Sequence, residues 1–369
     1  MLTPEYLFHV TEGAEKITSD MHKNIMDMIV ERIMVRIGRG EDYMLTATDR
    51  WQIQVLQESG YLLEDIQKEI ADKTKKQENE LKSAFEEAGI KAIERDDAIY
   101  RAVGLSPTPL LQSPALLRIL ERDYNATCGE WRNLTRTTAD EAQKLFLKEV
   151  DTAYRMTSSG AVSYTQAVRN AVDKMIKQGV KVSYPSGREM SIESATMMTV
   201  RTGISQCAGA IALKRMEELE WDTILVSAHV GARIGDGVNC RHSFGSGDGE
   251  NNPYADINLS SEDNIKAEER AKKQRLMERH IRNSKREIQN LQTAIDASGD
   301  DKLKFELQQM YDRKSAVLRR QNKQYREFCK DNGLKEYSER LRVAQWDRSQ
   351  AVKSAKAAQR YLNTKGDVK

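Results

Sequence analysis

Apolar side chains recur at helical spacing through most of this sequence, and the first stripe is the clearest. Ile25, Ile29, Ile33 and Ile37 fall four residues apart, with Met21, Met26 and Met28 beside them, so one face of a helix is apolar. Residues 2–37 therefore read as helix. Pro4 sits just inside an N-cap, where its missing N–H costs nothing, and Gly38-Arg39-Gly40 is the stop. A second helix is expected over 48–57 on Trp51, Val55 and Leu56, ended by Gly60. A third, very polar one follows over 62–87 on Ile66, Ile70, Leu81 and Phe85. Residues 104–109, with Pro107 and Pro109, form a turn, because each Pro biases its predecessor away from helix. Further helices are expected over 115–123, over 139–156 with Thr138-x-x-Glu141 as a capping box, and over 164–177 on Val168, Val172, Met175 and Ile176.

At Gly179 the period changes from 3.6 to two. Residues 180–190 read as a β-hairpin turning at Pro185-Ser186-Gly187, and 191–219 return to helix with many small residues. Residues 221–226 form a strand that runs into the stretch LVSAHVGARIGDGVNCRHSF, and 244–254 are turn-rich and read as a linker. Beyond Ser260, Gln274, Met277, Ile281, Ser284, Ile288, Leu291 and Ile295 alternate spacings of three and four, a heptad seam. After a turn at Ser298-Gly299-Asp300, Leu303, Leu307, Met310, Val317, Leu318, Tyr325 and Phe328 line a second long helix ended by Asn332-Gly333, so the pair is an antiparallel hairpin. A last helix is expected over 336–362. The fold class is mainly α (α+β): long amphipathic helices, a small antiparallel β-containing central module and a C-terminal helical hairpin. The expected organisation is an N-terminal helical docking region over 1–110, a helical segment over 111–178, a small α+β module over 179–250, and the basic hairpin and tail over 260–369.

Composition changes this picture in two ways. With charged residues at 31% and apolar ones at 39% of 369 residues, the chain suits extended helices with large wet surfaces. Its net charge of +2 hides an asymmetry. From Lys266 onward about 27 Lys/Arg face about 15 Asp/Glu, roughly +12, leaving roughly −10 on the rest. A polyanion is the natural partner for the basic third, although a solvated charged face has the same composition. No stretch approaches the roughly 18 consecutive apolar residues of a membrane span, and no membrane partner is expected. Cys128, Cys207, Cys240 and Cys329 are widely scattered and read as free thiols in a reducing compartment.

Candidate chemistry collects in the Gly-punctuated stretch. On an extended strand Cys240 and His242 would share a face, and His229 with Asp236 or Asp248 would complete a ligand set that zinc accepts. A second CxxC or HxxxH pair is missing, so a packed strand pair is the plainer reading. Cys240 or Cys207 beside His229 or His242 is the corresponding thiol reading, and a structural Cys is the plainer alternative. The basic hairpin is the better functional candidate. Arg275, Arg279, Arg282 and Arg286 on its first helix, with Arg319 and Arg320 on its second, are the expected contacts to double-stranded DNA. Such contact would be non-specific and salt-sensitive, since no base-reading motif is present.

Ordered blocks along nearly the whole chain carry a resemblance. They include LTPEYL (2–7), RIMVRIGRG (32–40), TATDRWQIQVLQESGYLLEDIQKEI (46–70), DDAIYRAVGLSP (96–107), GEWRNLTRTTA (129–139), SSGAVSYTQAVRNAV (158–172), YPSG (184–187), VRTGISQ (200–206), VSAHVGAR (226–233), NCRHSF (239–244) and REFCKDNGL (326–334). Together they resemble the minor capsid proteins of tailed phages, within the phage head-morphogenesis proteins. The resemblance implies a structural virion component in few copies, associated with the portal and head interior. It implies action in head morphogenesis, DNA packaging or DNA delivery, with the portal protein and other capsid or scaffold proteins as partners. The implied location is the capsid interior or portal vertex, reached through the host cytoplasm during assembly. It implies no enzyme activity, cofactor, metal or catalytic residue. Its motif residues here are His229, Arg233, Asn239, Cys240, Arg241 and His242. Proteins of this type are expected to carry a longer insert between the VSAHVGAR and NCRH blocks, whereas here only residues 234–238 separate Arg233 from Asn239. The N-terminal helices are expected to dock through the Ile25/Ile29/Ile33/Ile37 stripe or the region around Trp51. A metal- or thiol-dependent enzyme centred on Cys240, His242 and His229, and a coiled-coil adaptor binding only proteins, are the alternatives.

Overall fold

The computed structural model describes residues 1–45, 48–184, 186–227, 243–255 and 260–366. The chain opens with α1 (Pro4–His9), α2 (Glu12–Ile37), α3 (Glu41–Met44) and the 55-residue α4 (Thr48–Ala102). Then follow α5 (Pro114–Ser158), α6 (Tyr164–Gln178), the strands β1 (Lys181–Ser183) and β2 (Glu189–Ser191), and α7 (Ile192–Glu218). The strands β3 (Ile224–Val226) and β4 (Phe244–Ser246) lead to α8 (Ser261–Ala297), α9 (Asp301–Asp331) and α10 (Arg348–Gly366). The described fold is mainly α, with two separate two-stranded antiparallel sheets, β1–β2 and β3–β4.

Two expected breaks are absent. Gly60 lies inside α4, which runs through both segments expected as separate helices and beyond them. A helix-interior Gly costs about 0.5–1 kcal/mol relative to Ala. Val55, Leu62 and Ile66 are buried on either side of it, and that burial outweighs the cost. Thr138 caps nothing: it is fully buried in the middle of α5. The nearby Thr135 turns its hydroxyl back to the Arg132 carbonyl at 2.9 Å, so these threonines ride inside a continuous helix. The expected linker at 244–254 begins with strand β4, and the expected last helix over 336–362 is instead an irregular strap followed by α10.

The chain forms two compact units. The first comprises 1–18, 72–135 and 192–271, and the second 19–71, 136–191 and 272–369. The core of the first gathers Leu7, Leu81, Phe85, Leu116, Val200, Ile204 and Ile211 from α1, α4, α5 and α7. Small residues of α7 admit close neighbours: a Cβ on Gly209 would lie 3.0 Å from the Phe244 ring. In the second unit Ile25, Ile29, Ile33 and Ile37 are all fully buried. Trp51 is buried too, stacked on Tyr154 at 4.6 Å, with the Arg36 guanidinium 4.1 Å from its ring on the cation–π side. Neither the stripe nor the Trp51 ring is therefore exposed for docking, whereas Ile53 and Leu56 beside Trp51 are exposed. Exposing four buried isoleucines would cost about 6–12 kcal/mol, as much as a whole fold is worth.

Candidate nucleic-acid interface and the motif-bearing strands

The strand pair that flanks the Gly-rich stretch is fastened to α4 by buried polar groups. The Ser246 N–H donates to Asp96 Oδ2 at 2.9 Å, and its hydroxyl bonds the Tyr100 hydroxyl. Gly245 makes this approach possible, because a Cβ there would stand 2.7 Å from Asp96 Oδ2. Tyr100 meets Trp221 edge to face at 5.3 Å, and the Trp221 indole N–H donates to the Gly247 carbonyl at 2.9 Å. Ser227 and Ser243 extend the ladder, with Ser227 N–H on the Ser243 carbonyl and Ser243 N–H on the Ser227 hydroxyl, both at 2.8 Å. Beside this anchor the buried Arg215 faces Asp97 at 3.4 Å. Burial pushes the Asp96 and Asp97 carboxyls above the usual range, against the pull of the neighbouring cations. The motif residues His229, Arg233, Asn239, Cys240, Arg241 and His242 all lie outside the described residues, as does Asp236.

The remaining candidates for metal or thiol chemistry have other occupations. Asp248 accepts from the backbone N–H groups of Glu250 and Asn251 and from the Asn251 amide. These bonds lower its carboxyl to about 2 and commit it to a turn. Burial pushes the Cys207 thiol up to about 12, far from a nucleophile at neutral pH. Cys128 and Cys329 are buried as well, and their thiols are likewise raised. Among the described residues no group of three or more His, Cys, Asp or Glu is arranged to hold a metal. Among the same residues no helix is long and apolar enough to cross a membrane.

The basic hairpin forms as its spacing predicts. Gln274, Ile281, Ser284, Ile288, Leu291 and Ile295 are buried along α8, and Leu303, Leu307, Leu318 and Tyr325 along α9. The register is antiparallel: Glu278 accepts from the Tyr325 hydroxyl at 3.2 Å, and Glu287 pairs with Lys314 further along. Asp300 caps α9 by accepting from the Leu303 N–H at 2.7 Å. Across the outside of α8 runs the strap 332–347. Gln274, Arg282, Lys285 and Gln289 donate to the carbonyls of Lys335, Arg340, Leu341 and Ala344 in turn. These side chains satisfy backbone acceptors in a segment with little secondary structure of its own.

The six arginines expected at a DNA interface thus divide. Arg275, Arg279, Arg319 and Arg320 are exposed, and Arg319 also donates to Gln359 at 2.9 Å. Arg282 and Arg286 are half-buried, and Arg282 holds the strap. Lys285, half-buried beside Arg282, is pushed down to about 8, first by burial and then by that neighbouring charge. Exposed Lys323 and Arg326 lie further along α9.

Long helices, two small sheets and a charged helical surface define a predominantly α-helical protein whose described residues offer a surface for contact. Its sequence matches the family described as phage minor capsid protein 2 over residues 2–234 and 235–330, and the chain belongs to that family. The two matched stretches meet between Ile234 and Gly235, within the residues 234–238 that separate Arg233 from Asn239. Family membership gives the chain a structural role in a phage capsid, in association with other capsid proteins and located in the virion. No curated protein and no solved structure matches it.

Proposed function

We propose that this minor capsid protein works at the portal or head interior, in head morphogenesis, DNA packaging or DNA delivery. In this reading it meets the phage duplex non-specifically through its C-terminal helices. The observation that carries the reading is the solvent exposure of Arg275, Arg279, Arg319 and Arg320 on α8 and α9, with Lys323 and Arg326 beside them. Exposed cations on a rigid helical pair can track a phosphate backbone, and each phosphate neutralised releases counterions. Arg282 and Arg286 lie on the same hairpin and would contribute electrostatically from half-buried positions. Duplex binding by the full chain, titrated against salt, tests this. Binding should weaken steeply as salt rises. The combined Arg275→Gln, Arg279→Gln and Arg320→Gln variant should flatten the slope by about 0.9 for each phosphate it no longer neutralises. Binding that ignores salt, or no binding at all, would leave the protein-only adaptor as the better reading.

A further inference from the structure

We propose that α10, which lies beyond the family-matched residues, is itself a contact helix for the phosphate backbone of duplex DNA and extends the basic surface of the hairpin. The proposal rests on the DNA-contact reading above. Its first support is charge. The charged residues of α10 are Arg348, Lys353, Lys356, Arg360 and Lys365, all cationic. The hairpin helices, in contrast, intersperse acids such as Glu278, Glu287, Glu306, Asp312 and Glu327, several of which neutralise neighbouring cations. A helix without acids gives a higher local potential per turn than a longer one of mixed sign.

The second support is arrangement. Lys353, Lys356 and Arg360 recur at spacings of three and four, so they share one flank of α10, and all three are exposed. Arg360 is held by Asp312 at 2.7 and 3.0 Å, which fixes the helix on α9. Lys353 and Lys356 make no ion pair among the described residues. The third support is packing. Ser354, Ala357 and Ala358 are buried where α10 lies along α9, and residues this small let two helix axes approach to about 8 Å. The Arg319–Gln359 bond places an exposed α9 arginine directly beside the added helix. That packing also consumes the small-residue face of α10. A basic helix with a free apolar face would suit a lipid surface, whereas this one has its charged flank outward, which suits phosphates in solution.

The test uses the full-length chain and a short mixed-sequence duplex, with Lys353→Gln/Lys356→Gln compared with wild type and with the Arg275/Arg279/Arg320 variant. The expected result is a salt slope shallower than wild type by about two units, at about 0.9 for each phosphate left unneutralised, with the helical circular dichroism unchanged. An unchanged slope for Lys353→Gln/Lys356→Gln, with a reduced one for the arginine variant, overturns the role of α10 and leaves the DNA-contact reading standing. A wild-type chain with no salt-sensitive binding overturns both. Val352 and Leu362 are also exposed on α10. Stronger binding to phosphatidylserine vesicles than to duplex, abolished in Lys353→Gln/Lys356→Gln, would therefore overturn the proposal in favour of a membrane surface.

Discussion

Glu149 of α5 is fully buried, and neither of its carboxylate oxygens has a hydrogen-bond partner among the described residues. Burial raises its carboxyl above the ordinary value, with Lys174 and Lys148 pulling the other way. A folded-state pKa above the unfolded one means that the folded chain holds the extra proton, so stability falls as pH rises through that window. Glu149→Gln is therefore expected to stabilise the protein by about 1 kcal/mol at neutral pH, and the gain should vanish as pH drops below the unfolded glutamate value. Thermal unfolding of both proteins across that range checks the sign. Glycines give a second contrast at this scale. A Cβ on Gly60 meets nothing within 4 Å, so Gly60→Ala should stabilise α4 by about 0.5–1 kcal/mol. At Gly245 the same change drives a methyl into Asp96 and should destabilise the β3–β4 pair, seen as a lower midpoint and faster proteolysis after Trp221. Sequence alone shows two glycines; only their neighbours make one replaceable and the other not.

At the scale of elements, periodicity predicts the hairpin seam because apolar positions sustained over several turns leave one face to bury. Helix ends are harder to read. Gly60 and Thr138 carry local stop and start signals worth about 1 kcal/mol each, and long-range burial along α4 and α5 exceeds them. The strap has no legible signal, since its hydrogen bonds come from side chains of α8 some 55–61 residues away in sequence. Arg279 and Arg282 look alike as sequence, yet they should separate by experiment. Arg282→Ala removes a charged donor from the Arg340 carbonyl and should cost about 1.5–3 kcal/mol. Arg279→Ala, exposed, should change stability by less than about 0.5 kcal/mol while weakening duplex binding. Chemical denaturation and a binding titration on the same two variants read both effects.

For the whole molecule, the prediction concerns copy number. Quantitative mass spectrometry of purified particles, with the portal protein as internal standard, should find the chain at or below portal stoichiometry. Abundance in infected cells with absence from particles would contradict a virion role and point to a transient assembly factor.

What the sequence by itself determined was whatever depends on local period and summed charge: a mainly helical chain, the β1–β2 hairpin, the seam of α8 and α9, and the cationic C-terminal third. The ordered blocks also carried the family. What only the tertiary structure decided was which faces are spent inside. The Ile25–Ile37 stripe and Trp51 are core, and four of the six hairpin arginines are exposed. Asp96, rather than any cysteine or histidine, ties the motif-bearing strands to α4. The physical reason is that burial is a property of pairs of surfaces. An apolar stripe or a run of cations is written in one segment, but whether another segment covers it depends on partners tens to hundreds of residues away.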